Sequence, residues 1–310
     1  MDFGSINPVL LIAALMVAST PILLAAIGEL VVEKSGVLNL GVEGMMIVGA
    51  VTGFIVAVGT GSPAIGFAAA ALGATLLALV FAVLTQVFLS NQVATGLGLT
   101  LLGLGISALM GQGYVGIRPP ASPRLEFFGL NDLPVVGPIL FNQHPVVYLS
   151  IALVFAVWWY LRGTRSGLIL RAVGESHEAA HALGYSVLGT RFAAIAFGGA
   201  CAGLGGAFLS LVVVPTWVDG MTAGAGWIAL AIVVFASWRP WRVLLGAYLF
   251  GGVSVLQLNL QAAGIAIPVE LLSMSPYLIT ILVLVIISSD KRRAQANAPA
   301  SLGRTFHASG

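Results

Sequence analysis

Windows of roughly twenty apolar residues follow one another along almost the whole chain, the length needed for a helix to cross the hydrocarbon layer of a bilayer. They lie near residues 8–27, 37–58, 63–89, 93–113, 145–161, 192–214, 221–238, 243–262 and 274–289. In lipid every backbone N–H and C=O must find its partner within the protein, so such segments fold as helices. Only 8% of the 310 residues are charged, against about 25% in soluble domains. The expected fold is therefore all-α, a polytopic transmembrane helix bundle of about nine spans. Residues 1–289 form the transmembrane domain and residues 290–310 a polar tail, which reads as disordered.

The N-terminus lacks a basic leader and a small-residue cleavage site, so the first apolar stretch is expected to remain as a span. A proline-rich loop, "YVGIRPPASPRLEFFGLNDLPVVGPILFNQH", separates the fourth and fifth windows. Arg162, Arg165, Arg171 and Arg191 cluster in one connection, Arg239 and Arg242 flank another, and Lys291, Arg292 and Arg293 follow the last window. Nine spans put these regions and Lys34 on one side, which the positive-inside rule makes cytoplasmic. The protein is then expected in the bacterial inner membrane, with its N-terminus external, its C-terminus cytoplasmic and the proline-rich loop outside. Arg118 and Arg124 in that loop are the exception.

Several chemistries are excluded or disfavoured. The lone Cys201 allows neither an intramolecular disulfide nor a multi-cysteine metal site. No G-x-x-x-x-G-K-[ST] occurs, so this chain has no phosphate-cradling P-loop, and no cofactor of its own is expected. There is no long basic face for nucleic acid. "GLGISA" sits inside an apolar window with no strand before it and reads as packing, as do small-residue pairs such as Gly199 and Gly203.

The connection after the fifth window contains "RAVGESHEAAHALGYS", which predicts a short amphipathic helix over Glu175–Leu183 stopped by Gly184. Such a helix lies on the membrane face and presents a surface to a soluble partner. Within it, "HEAAH" matches the H-E-x-x-H pattern of zinc proteases, with His177 and His181 as ligands and Glu178 as base. A third ligand is missing from the sequence: His144 falls on the other side of the membrane and His307 lies in the tail.

"EAAHALG", Glu178 to Gly184, resembles E-A-A-x-x-x-G, by which permeases of ABC importers engage their ATPase subunits. Three blocks extend the likeness to the ribose, nucleoside and branched-chain amino-acid permeases: "GELVVEKSGVLNLGVEGMMIVGA", "LRAVGESHEAAHALGYSVLGTRFAAIAFGGACAGLGGAFLS" and "GAGWIALAIVVFASWRPW". Within that branch, S-G-x-x-N-L-G-x-E-G is most similar to nucleoside-type members. Ser176-His177 departs from the Asn-Pro frequent in relatives. The resemblance implies that Glu175, Glu178, Ala179, Ala180 and Gly184 couple to an ATP-binding subunit, where ATP is used. It also implies a second permease subunit, a different chain in nucleoside-type systems, and an external solute-binding protein. The expected function is translocation of a nucleoside or similar small polar solute. A ribose-type sugar or branched-chain amino acid, a secondary transporter and the zinc protease are the alternatives.

The polar residues at membrane depth are the candidate solute contacts. A carboxylate there costs at least about 2.5–3.5 kcal/mol, so it faces a cavity or a partner. Asn39 and Glu43, four apart, are predicted to share one helix face, either along a translocation path or as interhelical glue. Glu33 is expected to pair with Lys34 or meet solvent. Asn91 and Gln92 mark the inner end of the third window as turn or gate, and Trp217 and Asp219 in "PTWVDG" lie near the outer mouth. Trp227, Trp238 and Trp241 read as interfacial belt residues.

Overall fold

The computed structural model describes residues 8–125, 133–262, 268–288 and 297–307. These residues form α1 (Pro8–Lys34), α2 (Val42–Thr60), α3 (Pro63–Ala82), α4 (Gln92–Gly111), α5 (Pro145–Gly163), α6 (Arg165–Glu175), α7 (His177–Ala182), α8 (Val187–Phe208), α9 (Ala225–Phe235), α10 (Pro240–Ala262) and α11 (Val269–Ser288). Wider π turns extend α3 over Val83–Val87 and α8 over Leu209–Val213. Among the described residues no strand forms; one isolated bridge joins Val115 to Trp217.

Seven helices are long and apolar enough to cross a membrane: α1 to α5, α8 and α10. The expected pattern of about nine spans is compatible with this count, because α9 and the apolar run Met274–Val283 of α11 occupy the eighth and ninth windows. The window near 221–238, however, yields a helix of only 11 residues. At 1.5 Å per residue it is about 16 Å long, half the thickness of a bilayer core. Gly220 and Gly224 take left-handed backbone conformations just before it, which keeps the helix from starting earlier.

Because these helices are apolar all round, polarity cannot sort their faces, and side-chain size does so instead. Large residues such as Leu72, Leu76, Leu101 and Leu109 are exposed on the outside. Glycines occupy the contacts: a Cβ on Gly44 would lie 2.7 Å from the Leu99 carbonyl oxygen, and one on Gly103 would lie 2.7 Å from that of Gly44. These two positions let α2 and α4 touch backbone to backbone. The Gly199 and Gly203 pair brings α8 against Ala74 and Ala70 of α3 in the same way. α1 sits at the centre, against α5, α8, α9 and α10, while α2, α3 and α8 pack on one another and α11 covers α10.

Three expectations are corrected. The second span starts at Val42, not near residue 37, because Gly36 turns left-handed (φ +86°) and residues 35–41 return into the bundle as irregular backbone. The short amphipathic helix starts at His177, not at Glu175, because the extended backbone of Ser176 (φ −151°, ψ 99°) ends α6 at Glu175 and leaves α7 to run over His177–Ala182. The tail is not wholly disordered. Ser301 N–H donates to Gly174 O (2.9 Å) and Gly303 N–H to Gly36 O (3.1 Å), while Lys34 Nζ donates to Asn297 O (2.7 Å). The tail offers backbone donors to carbonyls left open at the end of α6 and in the turn after α1. Lys291, Arg292 and Arg293 lie outside the described residues.

Candidate functional site

Glu43 opens α2 and is 3% exposed, so its carboxylate must be satisfied by protein groups. The short α9 supplies them. Thr222 Oγ1 donates to Glu43 Oε1 at 2.6 Å, Gly224 N–H to the same oxygen at 2.9 Å, and Gly226 N–H to Oε2 at 2.6 Å. These donors are the open N–H groups and the preceding hydroxyl at the start of a helix, where the macrodipole also favours negative charge. Gly226 permits the approach, since a Cβ there would lie 2.6 Å from Glu43 N and Cα. A carboxylate and a half-length helix, each costly alone in an apolar bundle, thus satisfy one another.

Asn39 does not share a helix face with Glu43, because it precedes α2. Its Oδ1 accepts from Gly41 N–H (3.0 Å), its Nδ2 reaches Met45 Sδ (3.4 Å), and its backbone N–H donates to Glu29 Oε1 (3.3 Å). Asparagine bonding to the backbone two residues on is a turn device, and it competes with helix in this segment. Gln92 joins the same region: its Oε1 accepts from Leu38 N–H (2.8 Å), and its buried Nε2 has no hydrogen-bond partner. Asn91 caps α4 by accepting from Ala94 N–H at 3.0 Å. Asn39, Glu43 and Gln92 therefore gather at the break between α1 and α2, whereas Asn91 faces outward.

The outer candidates separate. Asp219 is exposed, but Trp217 is only 2% exposed, with its ring against Gly111 and 6.3 Å from that of Phe54. Trp238 is likewise no belt residue: it is buried, and its Nε1–H donates to Glu33 Oε2 at 2.5 Å. Glu33 thus meets an indole instead of solvent, with Lys34 near enough to add a favourable charge. The reason is the turn after α9, where Ser237 and Trp238 both take positive φ (52°) and fold the indole back onto α1.

At the α6–α7 end, Ser176 Oγ accepts from Ala179 N–H (3.2 Å) and caps α7. The departure at Ser176-His177 therefore preserves a helix start. Gly184 adopts φ +83° with open space around its Cα, as a helix stop requires. Glu175, Glu178 and Ala179 are exposed, Ala180 is buried, and Leu183 is 74% exposed. His177 and His181 both stack edge-on to Phe306 of the tail, with ring centroids at 5.4 and 5.2 Å.

Arg191, noted from sequence only as a positive charge, is fully buried and ties this end together. Its guanidinium donates to Ser35 O (3.3 Å), Gln86 Oε1 (3.1 Å) and Arg304 O (3.2 Å), and lies 3.4 Å from His177 Nδ1. Arginine has only donors, so His177 accepts at Nδ1 and its ring is neutral. Burial and the Arg191 charge hold the His177 pKa below its usual value. The HEAAH histidines are thus engaged by an arginine and a phenylalanine. Among the described residues no group of three histidine, cysteine or acidic side chains is placed to hold a metal.

Comparison with known proteins gives one family and a consistent set of relatives. Residues 11–287 match the model described as branched-chain amino acid transport system / permease component. The chain is 43% identical over 296 residues to the putative glucose ABC transporter permease protein of Haloferax volcanii, covering 88% of this chain and 90% of the relative. It is 32% identical over 289 residues to the guanosine ABC transporter permease protein of Bacillus subtilis (89% and 91%), and 31% identical over 292 residues to the nucleoside ABC transporter permease protein of Lactococcus lactis (89% and 91%). No solved structure matches. These relatives are transport subunits, not enzymes, and such permeases work with ATPase and substrate-binding partners. The match over nearly the whole chain, and the multi-pass helix bundle, lead to one conclusion: this chain belongs to the branched-chain amino acid transport system / permease component family and is a membrane permease similar to those of ABC transporters.

Proposed function

We propose that the chain translocates a nucleoside or a similar small, uncharged, hydroxylated solute across the inner membrane, driven by ATP hydrolysis in a separate subunit. The observation that carries this reading is the pair of helix breaks, residues 35–41 and the start of α9, joined through Glu43. Irregular backbone at membrane depth is tolerated where it is buried in protein or lines a watery route. Asn39, Glu43 and Gln92 bring donors and acceptors to that place, and the unpaired Gln92 Nε2 is a donor able to meet a hydroxyl. Asn91, Trp217 and Asp219 would act nearer the two mouths, with Trp217 needing to swing out of its pocket.

The coupling proposal rests on α7. The ATPase would push on Glu175, Glu178, Ala179, Leu183 and the Gly184 stop, with buried Ala180 as the pivot against the bundle. His177 and Arg191 then pass the displacement to Ser35, beside the first helix break, and to Gln86 at the end of α3. A second, different permease chain completes the path, and an external binding protein delivers solute. A hexose is the second reading, favoured by the higher identity to the Haloferax relative.

Uptake of radiolabelled guanosine and glucose, in cells expressing the chain with its ATPase and binding protein, tests the reading. Guanosine accumulation that unlabelled glucose does not suppress is expected. Glucose accumulation alone moves the assignment to the hexose, and uptake that persists without the ATPase rejects it. Gly184→Asp, at a backbone angle that L residues rarely adopt, should reduce uptake at least tenfold with the protein still in the membrane; normal uptake removes the coupling claim.

A further inference from the structure

A cavity of about 550 Å³ opens where the ends of α1, α5 and α6 meet the turn between α9 and α10. Five cations line it: Lys34, Arg162, Arg171, Arg239 and Arg242. No carboxylate forms an ion pair with them among the described residues. Two acids stand near Lys34: Glu33, which accepts from Trp238, and Glu175. Lys34 Nζ is taken by Asn297 O, and Arg162 lies over the Trp158 ring at 5.6 Å. Arg171 differs from both, since its Nε–H is shielded from solvent and bonds to nothing. An unpaired guanidinium N–H in a concave, strongly positive site calls for an anion with several acceptor oxygens.

The rest of the lining says what carries that anion. Trp158 and Trp241 form one wall, with ring centroids 6.4 Å apart, and Trp241 stacks edge-on to the exposed Phe155 at 4.5 Å. An aromatic strip leading from a basic cavity onto the outward face of a spanning helix is the pattern of a membrane interface. A soluble anion needs only the cations; a lipid needs the cations and this apolar exit together.

We propose that this cavity binds the phosphodiester head group of an anionic phospholipid, with Arg171 and Arg242 as its principal ligands and the acyl chains leaving past Trp241 and Phe155. Lys34, Arg162 and Arg239 supply the surrounding positive field. No step of solute translocation is assigned to these residues.

The test uses the full-length protein in neutral detergent and counts bound lipid by native mass spectrometry. Phosphatidylglycerol, phosphatidylcholine and inorganic phosphate are titrated separately. Phosphatidylglycerol is expected to bind stoichiometrically and to resist displacement by millimolar phosphate, with phosphatidylcholine weaker. At roughly fivefold per cation, Arg171→Gln with Arg242→Gln should weaken phosphatidylglycerol about 25-fold. The double lysine variant at the same positions should lose only a few-fold, and Arg118→Gln with Arg124→Gln should lose nothing. If the double glutamine variant does not fold, Arg239→Gln alone should weaken binding about fivefold. Equal binding by wild type and glutamine variants overturns the site. Displacement of the lipid by inorganic phosphate overturns the lipid assignment in favour of a soluble phosphate compound.

Discussion

Replacing Glu43 with glutamine exchanges one carboxylate oxygen for an amide without changing shape. The amide oxygen can still accept from Thr222 Oγ1 and Gly224 N–H, which share Oε1, but the NH2 then opposes Gly226 N–H at 2.6 Å. The stranded Gly226 donor costs about 1–3 kcal/mol, and the two surviving bonds each fall from the charged class (about 1.5–3) to the neutral class (about 0.5–1.5). Loss of the remaining helix-dipole attraction, beyond the hydrogen bonds already counted, adds about 0.5 kcal/mol. Against this, a charge no longer sits at membrane depth, a relief of about 2.5–3.5 kcal/mol. The balance is a net destabilisation of about 2 kcal/mol, or roughly 30-fold in an opening equilibrium. Amide hydrogen exchange over residues 224–228 measures it directly, and these amides should exchange about 30-fold faster in Glu43→Gln, with those of α3 unchanged. Unchanged or slower exchange would refute the view that Glu43 holds the start of α9.

Arg191→Met removes the donors shared by Ser35, Gln86, Arg304 and His177, so amides of residues 177–183 should exchange at least tenfold faster, one charged hydrogen bond being worth about that much; retained protection would remove Arg191 as the link. Phe306→Ala empties a buried aromatic site among Val173, Ala180 and Val187, costing about 3 kcal/mol or more. Limited proteolysis should then cut the tail near residues 297–304 at least tenfold faster with the bundle intact, and an unchanged cutting rate would deny the anchor. His144 titrates outside the spans: burial first, then Arg124, lower its pKa to about 4 from an unfolded value near 6.5. Its neutral ring bonds Ser122 Oγ (2.7 Å) and accepts from Val146 N–H (3.2 Å). The unfolded chain binds the proton more readily, so this contribution is complete above pH 6.5 and is lost as pH falls from 6.5 through 4. His144→Asn should flatten that part of the thermal-stability profile, and an unaltered profile would remove His144 as its source.

Much of this was legible in the sequence because it depends on local or near-local chemistry. Apolar windows report spans since the backbone has no other partner in lipid. Gly184 as a stop follows from the conformation of a single residue, whereas the helix starts at Asn91 and Ser176 emerge only with their side-chain caps. Where the reading slipped, a distant segment decided. The α2 start was misplaced because the preceding residues look apolar, yet Gly36, Asn39 and the tail at Gly303 hold them as a turn. Trp238 looked like a belt residue until the left-handed turn at Ser237 folded it onto Glu33. Arg191 looked like one more loop charge, because its acceptors are scattered from Ser35 to Arg304. The glycine run before Trp227 was the one available hint that a helix begins inside the bundle.

The sequence alone determined that this chain must be helical, must lie in a membrane and must stop a short helix at Gly184, since each follows from solvation of the backbone and from the conformational limits of individual residues. Only the tertiary structure decided what the buried polar groups do. A carboxylate at position 43 is compatible with a pathway or with a brace until a specific set of N–H groups, some 180 residues away in the chain, arrives within hydrogen-bond distance. Burial makes such groups costly when unpaired, so their partners are fixed by how the helices pack, which no local pattern encodes.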